Sequence, residues 1–423
     1  MKPANELTAS EARAALDQGR LDASELLNAC LARIQARDDA VGAWCHLPDH
    51  SADHGATAIQ ETQSGPLSGL PVGIKDIIDT VDMPTTYGSA AYGDHQPDID
   101  AACVALVRAA GGIVMGKTVS TEFAYFQPGK TSNPHNAAHT PGGSSSGSAA
   151  AVADFMVPFA FGTQTGGSVI RPATYCGVVG YKASYGALPL YGVKALSHDL
   201  DTLGWFCREV ADIHLMRAAL VNAPLAPETA DAKPRVGLCR THEWYQADQD
   251  SRAAVLGAAK CLEKAGAEVV DVDLPTPIDR LLEQQKIVMA QNAARDLAFE
   301  YNHHRDLLSS HIIALIEAGM AVDFATYQAA LLDAAEGRHK LQSVFREVDV
   351  LLCPSAPGEA PEGLGGTGDP VFNRVWTLLG NPCVNLPGHL GGKGLPVGVQ
   401  AVGALGQDEK LLAHCHWMER RIV

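Results

Sequence analysis

The sequence predicts an α/β fold, a single α/β/α domain in which helices flank a mixed and largely buried central β-sheet. From about residue 70 onwards, short apolar runs alternate with helical stretches, which is the pattern of a sheet covered by helices. No repeat period and no charged linker divides the 423 residues. We therefore expect one domain over 1–423, with N-terminal helices in 1–60, the core of the site in 61–210, and the rest of the sheet with the helices of the pocket in 211–423.

Capping signals place two helices at the N-terminal end of the chain. Thr8 stands three residues before Glu11, and Asp22 stands three residues before Glu25. A side-chain oxygen at such a position accepts a hydrogen bond from the free N–H groups of the first helical turn. The second helix then has an apolar stripe to bury, formed by Leu26, Leu27, Cys30, Leu31 and Ile34.

The elements that follow are predicted from short apolar runs and from longer periodic stretches. A brief apolar run between turn residues is typical of a buried strand, and a longer stretch with helical spacing is typical of a helix. The expected helices are Ile99–Ala110 and Ser251–Ala265. The expected strands are, in chain order, Leu70–Ile74, Gly112–Met115, Arg235–Leu238, Glu268–Val272, Val348–Cys353, Cys383–Leu386 and Val397–Val402.

Charge and composition argue against several classes of function. The chain has 32 Lys and Arg against 48 Asp and Glu, and its net charge of −16 would repel nucleic acid. The ten cysteines form no C-x-x-C pair, so we expect reduced core thiols, and no ligand spacing predicts a metal site. Residues 1–18 lack the features of a signal peptide, and no run of 18 apolar residues predicts a membrane span. We expect a cytoplasmic protein.

One segment stands apart because it is almost free of charge. Residues 131–170 contain a single Asp, Glu, Lys or Arg, which is Asp154. A segment of this kind is expected to be buried. Because it is also rich in Gly, Ser and Thr, its polar atoms must be hydrogen-bonded to one another or serve chemistry.

A second glycine-rich segment, Gly111–Thr118, matches the phosphate-loop pattern G-x-x-x-x-G-K-[ST]. A phosphate loop needs an open turn of backbone N–H groups between a strand and a helix. Here the variable positions include Ile113, Val114 and Met115, which are themselves a strand-like run. We therefore interpret the segment as a turn and a buried strand, with Lys117 at the end of the strand, and expect no nucleotide.

Within the uncharged segment, the stretch Gly162–Ser168 offers a place for a nucleophile. A serine after paired glycines can present its hydroxyl while the neighbouring N–H groups remain free to face an oxyanion. No G-x-S-x-G motif and no marked histidine accompanies it. A desolvated lysine can serve as the base instead, and Lys75, at the end of the apolar run Leu70–Ile74, is the candidate. The alternative is a structural lysine paired with Asp76.

Several segments, taken together and in order, resemble the amidase signature family. Ser144 and Ser168 are separated by 24 positions, which is the spacing of that family. The match extends over most of residues 5–415 and implies the family's α/β fold and an amidohydrolase that acts on linear amides. The similar segments are Val72–Asp76, Gly116–Thr118, Glu122–Phe123, Asn133–Pro134, Gly142–Ala150, Thr165–Ser168, Leu200–Gly204, Asp349–Pro354, Gly380–Pro382 and Leu395–Gln400.

The resemblance implies a Ser-cisSer-Lys triad. Ser168 would be the nucleophile that forms an acyl-enzyme, Ser144 the bridging serine after a cis peptide bond, and Lys75 the base. No metal, nucleotide or other cofactor is implied. The oxyanion hole would consist of the backbone N–H groups of Thr165, Gly166, Gly167 and Ser168.

The sequence departs from the commoner family pattern around the nucleophile. Gln164 replaces an aspartate, Ile170 replaces an arginine, and Arg171 follows one position later. This variant resembles the branch that includes malonamidases. The guanidinium of Arg171 would then bind the carboxylate of a small acidic amide such as malonamate. The alternative is that Arg171 holds the loop through structural hydrogen bonds.

The function we expect is hydrolysis of the amide bond of a small molecule, without a nucleic-acid or membrane partner; a homodimer is left open. One alternative is the amidase subunit of a glutamyl-tRNA amidotransferase-like complex, which needs partner subunits and transfer RNA. Others are a general or aryl amidase on neutral amides and an inactive binding protein. We expect pocket walls within Leu281–Ala330, a backbone-anchoring role for Asp201, and a solvated position for His303 and His304.

Overall fold

The computed structural model describes residues 2–48, 64–225 and 233–422, and this part of the chain contains an eleven-stranded mixed β-sheet. The order across the sheet is β1-β3-β2-β4-β6-β5-β10-β11-β9-β7-β8. The expected α/β fold is confirmed. The strands are β1 Trp44–His46, β2 Pro71–Lys75, β3 Ile113–Thr118, β4 Phe159–Gln164, β5 Val179–Lys182, β6 Thr202–Cys207, β7 Arg235–Cys239, β8 Glu268–Val272, β9 Val350–Pro354, β10 Cys383–Leu390 and β11 Pro396–Val402.

The sheet has two halves that correspond to two halves of the chain. Strands β1 to β6 come from residues 44–207 and strands β7 to β11 from residues 235–402. Parallel pairs join β2 to β3 and β4, and β7 to β8 and β9. The halves meet where β5 pairs antiparallel with β10, with Cys383 opposite Lys182 and Asn385 opposite Gly180. We call this pairing the seam.

Both faces of the central strands are covered. Every residue of β2, β3, β4 and β6 is buried. Because successive side chains in a strand point to opposite faces, complete burial requires packing on both sides of the sheet. The helices of the described residues are α1 Ala9–Asp17, α2 Ala23–Val41, α3 Ala102–Ala109, α4 Ser146–Ala153, α5 Ile170–Cys176, α6 Val210–Val221, α7 Gln249–Lys264, α8 Leu281–Asp296, α9 Ala298–His303, α10 Ser310–Met320, α11 Phe324–Glu347, α12 Arg374–Leu379 and α13 Asp408–Glu419.

The two N-terminal helices begin where their capping residues predict. The Thr8 side chain accepts a hydrogen bond from the N–H of Glu11, and the Glu11 carboxylate accepts from the N–H of Thr8. Asp22 accepts from the N–H of Glu25 in the same way. Residues 49–63, which include the end of the expected N-terminal region 1–60, lie outside the described residues.

The predicted strands are all present, and most differ from the observed ones by one to four residues at an end. The helix expected over Ile99–Ala110 begins later, at Ala102. The reason is that the preceding residues bond elsewhere: the N–H of Ala101 donates to Asp79 O, and the Asp100 carboxylate accepts from the N–H of Val81. Ile99 itself is exposed.

The phosphate-loop match and the cysteines test two further expectations, with different outcomes. The phosphate-loop match is a buried strand, Ile113–Thr118, as expected. The prediction of core thiols is wrong for Cys45 and Cys261, which are exposed, while the other eight cysteines are buried and free. Cys45 lies in the short edge strand β1 and Cys261 on the outer face of α7, so neither faces the core.

Within the described residues, no single helix is long and apolar enough to cross a membrane. The consecutive helices α10 and α11 satisfy the length and hydropathy criteria only as a pair, and they meet at an angle of 96°.

Candidate active site

Lys75 lies at the end of β2 and is completely buried. Its Nζ is 2.7 Å from Ser144 Oγ and 2.9 Å from Thr163 Oγ1. The interpretation of Lys75 as the partner of Asp76 is wrong, because the Asp76 carboxylate lies 3.4 Å from Nζ of Lys117 instead. Lys75 therefore contacts two hydroxyl groups and has no ion pair with a carboxylate in the described part of the chain.

The surroundings of Lys75 favour its neutral form. Burial lowers the pKa of Lys75 to about 7, and the negative charge of Asp201 opposes this shift. A neutral amine can accept a proton, and with this pKa a substantial fraction of the side chain is neutral near pH 7. The two hydroxyl contacts are compatible with either protonation state, since a hydroxyl can donate or accept.

Ser144 follows a cis peptide bond, Gly143–Ser144, as the resemblance implies. Its carbonyl oxygen accepts a hydrogen bond from the N–H of Thr121. Gly142, with a φ of +83°, makes the preceding turn, and a Cβ there would lie 2.8 Å from Cα of Pro172. Only glycine fits that position, because both the backbone conformation and the contact exclude a side chain. The chain is thereby turned so that the Ser144 hydroxyl reaches Lys75.

Ser168 lies in the turn between β4 and α5, which we call the nucleophile loop and define as residues 165–168. Within the described residues its hydroxyl has no hydrogen-bond partner. The backbone N–H groups of Gly166, Gly167 and Ser168 also donate to no other described residue. A hydroxyl beside three free N–H groups is the arrangement expected for a nucleophile and its oxyanion hole.

Hydrogen bonds from both halves of the sheet hold the nucleophile loop. Asp201, in the first half, accepts from Thr165 Oγ1. Gln285 on α8 donates through Nε2 to Thr165 O at 2.9 Å, and Thr377 on α12 donates through Oγ1 to Gly166 O at 2.8 Å. The carbonyl oxygens of Thr165 and Gly166 are thus occupied, whereas the N–H groups of the loop and the Ser168 hydroxyl have no partner among the described residues.

Gln164, the departure noted in the sequence, has a defined structural role. Its Oε1 accepts hydrogen bonds from the N–H groups of Val169 at 2.9 Å and Ile170 at 3.1 Å, and its Nε2 donates to Thr377 Oγ1 at 3.0 Å. The amide oxygen therefore satisfies N–H groups at the start of α5, the helix that directly follows Ser168.

Asp201 has the anchoring role that the sequence suggested. It accepts hydrogen bonds from the N–H groups of Leu196 at 2.9 Å and Ser197 at 3.0 Å, in addition to that from Thr165. Burial raises the pKa of Asp201 to about 6, while these hydrogen bonds lower it. Asp201 thus connects the turn before β6 to the nucleophile loop.

Arg171 is buried, and both of its terminal nitrogens have partners. NH2 donates to Gly143 O at 2.7 Å and to Thr367 Oγ1 at 3.2 Å, and NH1 donates to Gly368 O at 2.8 Å. Burial lowers the pKa of Arg171 to about 10. These contacts favour the structural alternative for Arg171, because its guanidinium already ties the Ser144 turn to the 367–368 segment.

A cavity opens to solvent over the nucleophile loop, and its empty space, with the adjoining open solvent included, is about 310 Å³. We call it the inner cavity. Met289 lies within Leu281–Ala330, the stretch in which pocket walls were expected. Arg374 lies outside that stretch, and no local sequence signal indicated Arg374. The lining residues are Ala124, Tyr125, Phe126, Thr165, Gly166, Gly167, Ser168, Arg171, Leu196, Met289, Pro370 and Arg374.

No cluster of three or more His, Cys, Asp or Glu that could hold a metal ion occurs among the residues described. His303 ends the short helix α9 and His304 follows it, and their ring centroids lie 4.8 and 5.6 Å from that of Phe299, in tilted and edge-on orientations. The polar groups that its lining residues offer to the inner cavity are hydroxyl, guanidinium and backbone N–H groups.

The fold and the site together define a class of protein, the α/β amidohydrolases. Comparison with known proteins gives the family. The family model described as Amidase matches residues 25–412. The chain belongs to this family, the amidase signature family, and is an amidohydrolase.

Relatives and solved structures agree with this assignment. The chain is 32% identical to a glutamyl-tRNA(Gln) amidotransferase subunit of Synechococcus sp. (strain WH7803), over 97% of this chain and 96% of the relative. Among solved structures, one described as an amidase superposes with a TM-score of 0.90 at 31% identity and covers 98% of this chain and 100% of its own. The peptide amidase from Stenotrophomonas maltophilia has a TM-score of 0.85 at 28% identity, with coverages of 99% and 97%.

Proposed function

We propose that the protein hydrolyses the carbon–nitrogen bond of a small amide through an acyl-enzyme on Ser168. The observation that carries this proposal is the buried 2.7 Å contact between Lys75 Nζ and Ser144 Oγ, with burial lowering the pKa of Lys75 to about 7. A base of this pKa, in hydrogen-bond contact with the Ser144 hydroxyl, is suited to proton transfer at neutral pH.

The proposed reaction uses these groups in sequence. Neutral Lys75 takes the proton of Ser144, which takes the proton of Ser168 as Ser168 Oγ bonds to the amide carbonyl carbon. The N–H groups of Thr165, Gly166, Gly167 and Ser168 stabilise the oxyanion, by about 3 kcal/mol per donor in comparable hydrolases. The proton then returns to the nitrogen, the carbon–nitrogen bond breaks, and the amine or ammonia leaves. Water attacks the acyl-enzyme by the same relay and releases the acid.

The experiment is to measure ammonia release by the purified chain and by two variants, Ser168→Ala and Lys75→Met. Each substitution is expected to reduce kcat by about 10⁴-fold or more, because the groups act as a unit. Labelling by a serine-directed fluorophosphonate should disappear in Ser168→Ala. An unchanged rate in either variant contradicts the proposed relay.

For the substrate, we favour a short amide that bears a carboxylate, such as malonamate, as in the malonamidase-like branch. Two guanidinium groups, those of Arg171 and Arg374, line the inner cavity of a protein whose net charge is −16. A cationic wall next to the nucleophile loop favours an anionic substrate. Malonamate and benzamide, assayed in parallel, separate this substrate class from a general or aryl amidase.

A second candidate is supported by the relatives named as glutamyl-tRNA(Gln) amidotransferase subunits, to which the chain is similar over nearly its whole length. In that case the protein would act on glutamine, itself an amide with a carboxylate, within a complex with other subunits. The net charge of −16 disfavours a transfer RNA partner. Copurification of subunits and ammonia release from glutamine would support this candidate over the first.

We also propose that residues 1–423 form a single amidase domain that acts in the cytoplasm on a small molecule, without nucleic acid or membrane. Size-exclusion chromatography of the purified chain separates a monomer from a homodimer and from a complex with other subunits. A protein that elutes without other subunits and releases ammonia from a small amide supports the first candidate.

A further inference from the structure

Arg374, the first residue of α12, is buried with a relative exposure of 7%, yet it lacks an anionic partner. Its NH1 donates to Gln285 Oε1 at 2.7 Å. Within the described residues, its guanidinium makes no other hydrogen bond and no ion pair. A buried guanidinium loses hydration, and a single neutral acceptor returns only part of that free energy.

Arg374 lines two cavities. Its neighbour in the lining of the inner cavity is Ser168, and the second, larger cavity shares Phe126 and Pro370 with the first. We call the second one the outer cavity. Arg374 therefore stands where a molecule entering from the outer cavity would approach the nucleophile loop.

Among the described residues, the carboxylates near Arg374 form no ion pair with its guanidinium, which can therefore bind another anion. Burial lowers the pKa of Arg374, and the charges of Asp369, Tyr125 and Glu283 oppose this shift only in part. Asp369 is exposed, and Glu283 pairs with Lys286 at 2.7 Å. Neither carboxylate neutralises the guanidinium.

Gln285 connects Arg374 to the reacting groups. The same amide side chain accepts from Arg374 NH1 and donates to Thr165 O at 2.9 Å. Arg374 is thus held in a fixed position relative to the nucleophile loop by one side chain. Arg171 differs, because backbone carbonyls and Thr367 occupy both of its terminal nitrogens.

We infer that Arg374, and not Arg171, binds the carboxylate of the substrate and thereby selects short acidic amides. A carboxylate can accept two parallel hydrogen bonds from a guanidinium, which gives both affinity and orientation. The bound carboxylate would also neutralise the buried charge. The inference rests on the proposed amidase function and refines its substrate class.

The first test compares two substrates of the unmodified enzyme. Malonamide is nearly the same size as malonamate but has a second neutral amide in place of the carboxylate. We expect kcat/KM to be about 100-fold higher for malonamate, since loss of a buried charged hydrogen-bonding partner costs about this much. Equal rates, or a preference for malonamide, overturn the inference without any substitution.

The second test changes the arginine. Arg374→Gln is expected to reduce kcat/KM on malonamate by about 100-fold more than it reduces kcat/KM on malonamide. Arg374→Lys, which keeps the charge but not the fork of donors, should lie between Arg374→Gln and the unmodified enzyme on malonamate. The matched control is Lys286→Gln, which removes a cation from the outer cavity and should not change the ratio of the two rates. An equal loss on both substrates in Arg374→Lys would show a structural role.

The third test measures binding without turnover. Malonate should bind to the Ser168→Ala protein and bind about 100-fold more weakly when Arg374→Gln is added, as measured by calorimetry. Because binding is measured without turnover, this result tests the inference independently of the proposed function. If the unmodified enzyme hydrolyses neutral amides but malonate binding is insensitive to Arg374→Gln, the amidase proposal stands and the inference fails. If no amide is hydrolysed, the proposed function fails, and malonate binding still decides the role of Arg374.

Discussion

At the scale of single residues, the most informative feature is the difference between the polar partners of two buried lysines. Lys117 has a carboxylate at 3.4 Å, that of Asp76, whereas Lys75 has two hydroxyl groups and no close carboxylate among the described residues. Burial lowers the pKa of both side chains, and Asp76 opposes the shift in Lys117. Lys75 is accordingly the lysine suited to act as a base.

The pH dependence of activity follows from Lys75. Its pKa of about 7 means that the amine is protonated at lower pH and neutral at higher pH. Only the neutral form accepts a proton, so kcat/KM should rise by about tenfold per pH unit up to about pH 7 and then level off. A pH–rate profile on a neutral amide, which does not itself titrate, measures this. A flat profile between pH 5 and 8 would contradict the role of Lys75.

A second prediction concerns the two glycines of the nucleophile loop. A Cβ at Gly167 would collide with Asn373 Oδ1 and lie 2.7 Å from Pro370 Cβ, so Gly167→Ala must displace the loop. Displacing reacting groups by about 1 Å costs about 100-fold in rate, and we expect that loss in kcat. The matched comparison is Gly166→Ala, whose Cβ would have no neighbour closer than 3.9 Å and which should lose much less. Equal losses would show that the collision is not the cause.

At the scale of elements, the sequence predicted seven of the eleven strands in the described residues, because each of the seven is a short apolar run between turn residues; β1, β4, β5 and β6 were not predicted. Pairing and order in the sheet were not predictable, since they depend on contacts between distant segments. The triad positions could be named from their motifs. Arg374 and Gln285 could not, because they lie more than a hundred positions after Ser168 in the sequence and reach the cavity only through packing of α8 and α12.

The start of α5 gives a prediction about stability. Gln164→Met keeps the size of the side chain but leaves the buried N–H groups of Val169 and Ile170 without their acceptor. An unsatisfied buried donor costs about 1–3 kcal/mol, and we expect a decrease of about 2–4 kcal/mol in the free energy of unfolding. Urea titration followed by circular dichroism measures it. Gln164→Glu retains an acceptor and should lose less; a greater loss than for Gln164→Met would contradict the capping role.

At the scale of the whole molecule, the seam is braced by the C-terminal helix. The Asp408 carboxylate, at the start of α13, accepts hydrogen bonds from Tyr181 of β5 and from the N–H and hydroxyl groups of Ser184. Arg217 on α6 donates to the Tyr181 hydroxyl and to Glu409. The last helix of the chain therefore holds the strand at which the two halves of the sheet meet.

This arrangement predicts one cooperative unfolding transition. Asp408→Ala leaves buried donors of Tyr181 and Ser184 unpaired and should lower the free energy of unfolding by about 2–4 kcal/mol. The urea midpoint should fall with an unchanged m-value, because both halves unfold together. Glu409→Gln, at the half-buried neighbouring position, keeps an acceptor for Arg217; it is the control and should change the midpoint less than Asp408→Ala. A second transition in Asp408→Ala would show that the halves unfold separately.

The contribution of both halves to one cavity has a consequence for how such enzymes diversify. Lys75, Ser144 and Ser168 all come from the first half of the sheet, whereas Gln285 and Arg374 belong to helices that accompany the second. Mutations in residues 281–379 can therefore alter which acyl group is accepted while the relay stays intact. Changes in the later part of the coding sequence would then reshape one wall of the cavity, formed by Met289, Pro370 and Arg374, in the descendants of one ancestral gene.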